Sequence, residues 1–423
     1  MYYGYITTIK DIRKHSNADR LQCVTVFGNT AIVDLSYKEG QRVIYFPVDG
    51  QLSEKFCEDN NLVRKKDADG NNVGGYLDPR KRNITAIKLR GEKSDGLVMP
   101  IECLAKYTDI SSLKDGDKID ILNGHEICKK YVPKRNKPKQ RSGHKQKQKA
   151  KKKEYPFFVE HVDTAQLAYN QGAFRFGDTC YITLKAHGSS GRSGHTLRRE
   201  NRRFKFLNKW FGQKKTWEVV SGSRRVVLDD EFKDGYYNNE FRKKWHDFFK
   251  DKLPKGTEVF YEIVGYTTDG TPLMGSVSNK KIKDKEFQRQ YGDTTVFSYG
   301  CEVGESDCYV YRITMTNEDG YVVELPWEQV QIECEKMGAK CVPTFEKFIY
   351  KDWDDLMKRV EKYYDGVDPI GKTHIREGVV VRIDNRPTFE AYKHKNFNFK
   401  CLAGIIVDNA DADNIDADLL SEM

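Results

Sequence analysis

The sequence lacks any apolar run long enough to cross a bilayer, since its longest apolar stretches, such as Gly378–Val381, hold only a handful of residues. Its first residues, MYYGYITTIKD, lack the long apolar segment of a secretory signal and reach charge early. No two of its ten cysteines form a C-x-x-C pair, and the C-x6-C spacings Cys301/Cys308 and Cys334/Cys341 are loose for structural zinc. We therefore expect a soluble cytoplasmic or otherwise intracellular protein, encoded by a cell or a virus, with reduced thiols and no membrane partner.

The length and composition favour a folded protein of two domains. The chain has 423 residues, which is more than one compact core usually holds. Hydrophobic residues make up 38% and aromatic residues 12% of the sequence. This composition supplies packed cores and excludes a wholly disordered chain.

The net charge of +9 is concentrated in one segment. Between Lys129 and Lys153 there are 13 Lys or Arg and no Asp or Glu, so the rest of the chain is mildly acidic. Such a segment cannot bury a core, and we expect residues 129–154 to form a basic flexible linker. The last stretch, Ile405–Met423, has six acidic residues and no Lys or Arg, and we expect an acidic C-terminal tail.

A second basic stretch, Arg198–Lys215, interleaves Lys and Arg with Phe204, Phe206, Trp210 and Phe211. This pattern suits a polyanion whose bases can stack on aromatic rings. Each basic stretch also has an interpretation without nucleic-acid binding, namely a solvated linker for 129–154 and an amphipathic loop for 198–215.

The first 128 residues read as a series of short strands. Turn-forming residues separate predicted strands at Ala31–Leu35, Arg42–Pro47, Ile84–Leu89, Gly96–Pro100 and Lys118–Leu122. Short strands joined by Gly-containing turns predict a small β-barrel, and an oligonucleotide-binding (OB) barrel is one candidate. Other small barrels would produce the same pattern.

Residues 155–404 alternate β-rich runs with a few amphipathic helices, notably Glu240–Lys252 and Asp352–Tyr364. We therefore predict an α+β protein, in which an OB-like barrel precedes a domain of antiparallel sheets with flanking helices.

Three features of this second region could carry chemistry. Lys185 ends a predicted strand and is followed by a Gly-rich turn at Gly188, where a deprotonated lysine can act as a nucleophile. Glu262 lies within an apolar run and so needs a partner, such as a ribose hydroxyl or a cation. Lys393 and Lys395 alternate along a predicted strand, which places both ammonium groups on one face.

Six short segments in a fixed order resemble motifs I, Ia, III, IIIa, IV and V of the covalent nucleotidyltransferases, the superfamily of polynucleotide ligases and mRNA capping enzymes. They are KAHG, SGSR, FYEIVG, YVYRI, EGVVVR and YKHK. The K-x-H-G form and the Lys-x-Lys pair resemble ATP-dependent RNA ligases, since DNA ligases usually carry K-x-D-G. The segment Ile87–Pro100 is similar to the N-terminal OB module of the family-five RNA ligases. The resemblance covers roughly residues 1–128 and 155–404.

The resemblance implies catalytic roles for four residues. Lys185 would attack the α-phosphorus of ATP, expel pyrophosphate and hold AMP through a phosphoramidate. Glu377 would position a divalent cation, Mg²⁺ or Mn²⁺. Lys393 and Lys395 would neutralise the α-phosphate as charge builds in the transition state.

The resemblance also implies how the nucleotide is bound. Glu262 would hold the ribose, and Tyr311 would stack on the adenine where the family usually has Phe. Gly188 belongs to the nucleotide-binding turn, and Arg192 and Arg224 would contact phosphates. Arg312 departs from the family pattern, because Asp is frequent at that position.

The function implied is an RNA ligase that joins 3′-OH and 5′-phosphate ends through lysyl-AMP and an adenylated 5′ end. Its partners would be RNA ends or a nicked duplex with an RNA 3′-OH strand, and we expect a monomer. One alternative is an mRNA capping guanylyltransferase, which uses GTP but places its OB domain after the catalytic domain. The other is a non-catalytic RNA-binding protein with a decayed core.

Overall fold

The structure of the chain is a computed structural model. It describes residues 2–66, 68, 72–131, 152–202, 209–210, 212–228, 240–282 and 285–403. The acidic tail, most of the basic linker (132–151) and three of the four interleaved aromatic residues lie outside these ranges, so those expectations stay predictions. In the described part of the chain, no helix combines the length and apolar character needed to cross a bilayer.

The chain divides into two compact units. The first is built from the described residues up to 131, with those of 279–288 and from 400 onward. The second is built from the described residues between 152 and 278 and from 289 to 399.

The first unit consists of short strands and one short helix, α1 (Glu54–Asp59). Its strands are β1 (Gly4–Thr8), β2 (Ile12–Lys14), β3 (Leu21–Val26), β4 (Asn29–Asp34), β5 (Arg42–Phe46), β6 (Gly50–Leu52), β7 (Lys65–Lys66), β8 (Asn72–Gly74), β9 (Ile87–Leu89), β10 (Glu92–Ser94), β11 (Leu97–Pro100), β12 (Lys118–Ile119), β13 (Ile121–Leu122), β14 (His125–Glu126) and β15 (Cys128–Lys130).

These strands form several small antiparallel sheets. The largest has the order β11-β5-β1-β12, and a second has the order β2-β3-β4. The remaining strands pair two by two, as in β6 with β15 and β7 with β8. The hydrogen-bonded strands described here do not close into one ring, so the fold confirms the antiparallel sheets but not the OB barrel. Strand β15 also carries Lys129 and Lys130, two residues into the expected linker.

The second unit contains longer strands. They are β16 (Ala165–Gln166), β17 (Thr179–Leu184), β18 (Ser189–Glu200), β19 (Lys214–Gly222), β20 (Thr257–Gly265), β21 (Val277–Ser278), β22 (Thr294–Thr295), β23 (Ser306–Thr316), β24 (Val322–Glu324), β25 (Lys340–Cys341), β26 (Thr344–Ile349), β27 (Gly378–Ile383) and β28 (Glu390–Lys395). The helices after α1 are α2 (Glu240–Lys250), α3 (Lys285–Tyr291), α4 (Trp327–Met337), α5 (Trp353–Tyr363) and α6 (Phe397–Leu402).

Two mainly antiparallel sheets organise this unit. One has the order β16-β28-β27-β17-β26, and the other has the order β19-β18-β20-β23-β24 with β25 beside β23. Only β16 with β28 and β25 with β23 pair in parallel among the described strands. The predicted α+β class with antiparallel sheets and flanking helices is therefore confirmed.

Local sequence explains how helix α5 packs against β27 in the first of these sheets. Asp352 begins α5 by accepting a hydrogen bond from the backbone N–H of Asp355, at 2.8 Å. Leu356 and Val360 of this helix are fully buried in a cluster that includes Val379 and Val381 of β27. Alternate valines of β27 thus face the helix, which fixes the side on which its intervening residues lie.

Candidate active site

Lys185 follows β17 directly and is held at the junction of two strands. Its backbone N–H donates to the carbonyl oxygen of Gly378 at 3.1 Å, where β27 begins. Its side chain is about one-fifth exposed. The strand end therefore presents the ammonium group at a cavity rather than in bulk solvent.

Gly188 is required by close backbone packing. A Cβ atom at this position would lie 2.2 Å from the carbonyl oxygen of Ile263, so a larger residue would displace the turn. The backbone N–H of Gly188 donates to Oε1 of Glu262 at 3.2 Å. Gly188 thus orients the carboxylate of Glu262 on β20, while its neighbours Ala186 and Ser190 line the cavity.

A buried carboxylate joins two lysines at the floor of the site. Oε2 of Glu377 lies 2.9 Å from Nζ of Lys185, and Oε1 lies 2.9 Å from Nζ of Lys395. The Glu377 side chain is 2% exposed. Burial by itself raises the pKa of Glu377, but the positive charges of Lys185 and Lys395 lower it to about 2. The carboxylate is therefore ionised throughout the neutral range.

His187 lies against the same carboxylate. Its Nδ1 atom is 3.8 Å from Oε2 of Glu377, and its ring packs edge-on between Phe297 and Phe399, each at 4.8 Å between centroids. Burial lowers the pKa of His187 to about 4 against the opposing charge of Glu377. The ring is thus neutral at physiological pH, and the charge of Glu377 is balanced by the lysines.

The surroundings of a second carboxylate, Glu262, raise its pKa, whereas those of Glu377 lower the pKa. Burial raises the pKa of Glu262 to about 7, although the charge of Lys185 lowers it; the charge of Glu377 raises it further. Glu262 therefore changes its charge near neutral pH, whereas Glu377 does not.

Aromatic rings also line the cavity, among them those of Tyr311 and His161. Tyr311 of β23 meets the ring of His161 edge-on at 5.4 Å between centroids, and its hydroxyl lies 3.3 Å from Nδ1 of His161. Burial and the charge of Arg224 lower the pKa of His161 to about 3, so its ring is neutral. Arg382 donates from Nη1 to the carbonyl oxygen of Tyr311 at 3.2 Å, which fixes the backbone beneath the ring.

These groups surround one cavity of about 280 Å³. Six of the predicted site residues line it, namely Lys185, Arg224, Glu262, Tyr311, Lys393 and Lys395. Both lysines of β28 reach it, as their alternation predicts. Glu377 takes part through its two ion pairs rather than as a lining residue. A cavity lined by lysines, a carboxylate and aromatic rings can hold a phosphorylated nucleoside.

The structure does not bring Arg192 to this cavity. Its side chain is 1% exposed, and Nε donates to the carbonyl oxygen of Ser223 at 3.0 Å. Its guanidinium lies 3.9 Å from the ring centre of Phe158 and forms a 3.5 Å ion pair with Glu258. Arg192 therefore anchors the segment around Phe158 instead of facing a phosphate. Arg224 does line the cavity, and its guanidinium pairs with Asp163.

His161, Ser190, Arg382 and Phe389 line the cavity but were not predicted as site residues. No motif includes His161, because it lies in the segment that follows the basic linker. Arg382 is the last residue of the EGVVVR segment, and its place in that motif is the sequence feature that could have identified it as a site residue. Among the described residues, no group of three or more His, Cys, Asp and Glu is placed to hold a metal ion.

Comparison with known proteins gives a family and a fold. The model of the RNA ligase family matches residues 178–401. The search of curated proteins finds no match. The matched segment runs from β17 through β28, and thus includes Lys185, Glu262, Glu377 and Lys395.

Solved structures of an RNA ligase from Naegleria gruberi have a similar fold. The form with pyrophosphate is 15% identical, with a TM-score of 0.55, over 97% of this chain and 98% of that chain. A variant with ATP and Mn is 16% identical, with a TM-score of 0.56 and the same coverage. A further variant, with AMP and Mn, is 15% identical, with a TM-score of 0.56, over 94% and 97% of the two chains.

Proposed function

The chain belongs to the RNA ligase family, and we propose that it is an ATP-dependent ligase that joins RNA 3′-OH and 5′-phosphate ends. In the first step, Nζ of Lys185 forms a bond to the α-phosphorus of ATP, and the bond to pyrophosphate breaks. In the second, the AMP moves from Lys185 to a 5′-phosphate oxygen of RNA. In the third, the 3′-OH attacks that 5′-phosphorus, a phosphodiester forms and AMP leaves.

The observation that carries this proposal is the arrangement of Lys185, Lys393 and Lys395 around one cavity. Phosphoryl transfer depends mostly on positioning and on charge stabilisation, and three lysines lining one cavity supply a nucleophile and two cations. Because Glu377 has a pKa of about 2, it is a poor base and stays ionised. It therefore orients the Lys185 amine rather than accepting its proton.

The residues present also fit a divalent cation bound together with the nucleotide. Mg²⁺ and Mn²⁺ are commonly held by one or two carboxylates, substrate phosphates and water, so a complete protein cage is unnecessary. Glu377 is the buried anionic group beside Lys185. A metal bound there would draw negative charge from the α-phosphate. The structures of the Naegleria gruberi ligase with ATP, AMP and Mn support this choice.

The aromatic lining of the cavity supports the binding of a nucleoside. Tyr311 supplies a ring face for the base, its carbonyl is held by Arg382, and its hydroxyl contacts His161. Glu262, held by the N–H of Gly188, would accept hydrogen bonds from the ribose when ionised. In this reading Arg224 contacts a phosphate, whereas Arg192 keeps the wall of the cavity in place.

The remaining parts of the proposal concern the whole chain. We propose that the first unit is an OB-like module that binds RNA, that residues 129–154 tether RNA, and that the protein acts as a monomer inside the cell in RNA repair or nick sealing. The small antiparallel sheets of the first unit support the module. All ten cysteines are free thiols, which is typical of a reducing compartment.

The decisive experiment offers α-labelled ATP or GTP with Mg²⁺ or Mn²⁺, followed by denaturing electrophoresis. We expect label from ATP on the wild-type protein and none on Lys185→Ala. Lys340→Ala is the matched control, because Lys340 pairs with Asp307 and does not line the cavity. Label from GTP alone would favour the capping reaction, and no label from either nucleotide would favour a decayed core.

A further inference from the structure

The first unit has a basic loop, Asp78–Arg82, whose backbone is held by hydrogen bonds. Oδ1 of Asp78 accepts hydrogen bonds from the backbone N–H groups of Arg80, at 2.9 Å, and Lys81, at 2.8 Å. The N–H of Arg82 donates to the carbonyl oxygen of Asp78 at 2.8 Å. Nε2 of Gln51 donates to the carbonyl oxygen of Lys81 at 2.7 Å. The loop backbone is thus held from both sides, while the Arg80 and Lys81 side chains are exposed.

Two more exposed cations lie beside this loop. The N–H of Arg64 donates to the carbonyl oxygen of Leu77 at 3.0 Å, which places Arg64 beside the start of the loop, and Lys65 follows it in β7, opposite Gly74. The N–H hydrogen bond from Lys81 lowers the pKa of Asp78, and the charges of Lys81 and Arg64 add to this effect. We call Arg64, Lys65, Arg80 and Lys81 the loop cluster.

The loop cluster has little opposing charge. In the described part of the chain, none of its four members makes an ion pair within 4 Å, and Lys65 contacts only the amide oxygen of Asn61, at 3.0 Å. Between Asn61 and Asn83 the sequence has six Lys or Arg and three Asp. The one described carboxylate there, Asp78, is occupied by backbone donors. The four exposed cations of the cluster thus outnumber the one described carboxylate, and the loop backbone is ordered by hydrogen bonds.

We propose that the loop cluster is a docking surface for the phosphate backbone of RNA. This inference rests on the proposed function and assigns its substrate a second contact, outside the nucleotide cavity. Because the loop backbone is already held by hydrogen bonds, binding there orders side chains but little backbone, and the bound cations release counterions from a polyanion. The surface holds RNA by its backbone without reading its sequence.

RNA suits this surface better than an anionic membrane does. Peripheral membrane binding combines basic residues with apolar or aromatic anchors that enter the bilayer interface. Large apolar side chains near the loop, such as Leu77 and Tyr76, are buried or half-buried. The loop cluster therefore offers charge without an anchor.

The test replaces two cations and measures RNA binding against salt. For Arg80→Gln/Lys81→Gln, we expect affinity for a nicked RNA duplex to fall about 10-fold to 60-fold at 0.1 M salt, since each duplex phosphate contact contributes about 0.9 to the log–log salt slope. The slope itself should become shallower by about 1 to 2. Labelling of Lys185 by ATP should not change.

Lys114→Gln/Lys118→Gln is the matched control, because both lysines are exposed on the same unit but have acidic neighbours in the sequence. Lys114 precedes Asp115, and Lys118 lies between Asp117 and Asp120. It should keep the wild-type slope, and the charge-conserving Arg80→Lys/Lys81→Arg should also keep it. Equal slopes for the wild type and Arg80→Gln/Lys81→Gln would overturn the proposal. Unchanged RNA binding by Arg80→Gln/Lys81→Gln, together with reduced binding to phosphatidylserine vesicles, would also overturn the proposal. If the wild-type protein takes no label from ATP, the proposed function fails, while the titration still decides this surface.

Discussion

Oε2 of Glu377 lies 2.9 Å from Nζ of Lys185, so the proposed nucleophile forms an ion pair with a buried carboxylate. The other oxygen of Glu377 holds Lys395 at the same distance. A phosphoramidate at Lys185 would remove one of these two positive charges. Glu377 would then face Lys395 alone, with more negative charge available to a cation. In the proposed mechanism, cation binding and formation of the covalent bond would therefore be coupled by charge.

Lys185→Ala should abolish the labelled protein–AMP and the sealing of a 5′-phosphorylated nick. It should still join an RNA end that is already adenylated, because the last step needs no enzyme nucleophile. The measurements are electrophoresis of labelled protein and of a labelled RNA strand. Lys185→Arg is the matched variant, since it keeps the positive charge beside Glu377 without a competent amine. Label retained on either variant would contradict our choice of nucleophile.

Glu377→Ala and Lys395→Ala should both fold and lose sealing by at least about two orders of magnitude. This is the usual scale for removing one charge contact to a transition state. Sealing rates at limiting metal provide the measurement, and circular dichroism confirms folding. Near-normal sealing by either variant would show that the ion pairs around Glu377 serve packing only.

The ionisation of Glu262 should set a pH dependence. Burial raises the pKa of Glu262 to about 7, so the carboxyl group is mainly protonated below that pH and mainly ionised above it. Because the ionised form accepts hydrogen bonds from a ribose, KM for ATP should fall as pH rises from about 6 to about 8. Glu262→Gln should have a higher KM that no longer changes across this range. Equal pH profiles for both proteins would contradict this role.

The raised pKa of Glu262 also has a consequence for stability. The folded state binds the proton more tightly than the unfolded state, so this group lowers the free energy of unfolding as pH rises from about 4.5 to about 7. Glu262→Gln should therefore gain thermal stability relative to the wild type at pH 8 and gain little at pH 5. Thermal denaturation at the two pH values measures this, and the opposite order would contradict the assignment.

His161→Phe tests the aromatic lining of the cavity. The variant keeps a ring against Tyr311 and Phe260 but removes the nitrogen that contacts the Tyr311 hydroxyl. We expect KM for ATP in the labelling reaction to rise about fivefold, which is the effect of one hydrogen bond. Tyr311→Phe should have a similar effect, and the double variant should be no worse than either single one. Additive effects would show that the two residues act separately.

Replacing residues 132–151 with a neutral Gly/Ser segment of equal length tests the expected tether. Labelling of Lys185 should not change, because the nucleotide cavity is untouched. RNA affinity should weaken and the log–log salt slope should become shallower, since fewer phosphates are neutralised. Titration at three salt concentrations measures both. Superimposable curves for the two proteins would show that the segment is a passive spacer.

Much of the second unit was predictable because its signals are local. The predicted helices Glu240–Lys252 and Asp352–Tyr364 correspond to α2 and α5, within two residues at each end. Each has an apolar stripe at helical spacing, and Asp352 supplies the N-cap. The fold of the first unit was harder to predict, because its strands are short and several pair with strands that are distant in the sequence. The predicted strand Ile84–Leu89 is regular only over Ile87–Leu89, and the OB barrel is not confirmed.

The sequence by itself determined that Lys185 ends a strand before a glycine turn, and that Lys393 and Lys395 share a face. Both follow from local spacing and from the two-residue period of a strand. Only the tertiary structure decided that Arg192 points into the wall beside Glu258, and that His161 reaches Tyr311 from 150 residues away. The direction of a side chain relative to a cavity depends on strand register and packing between distant segments. Nothing in the residues adjacent to Arg192 or His161 specifies that arrangement.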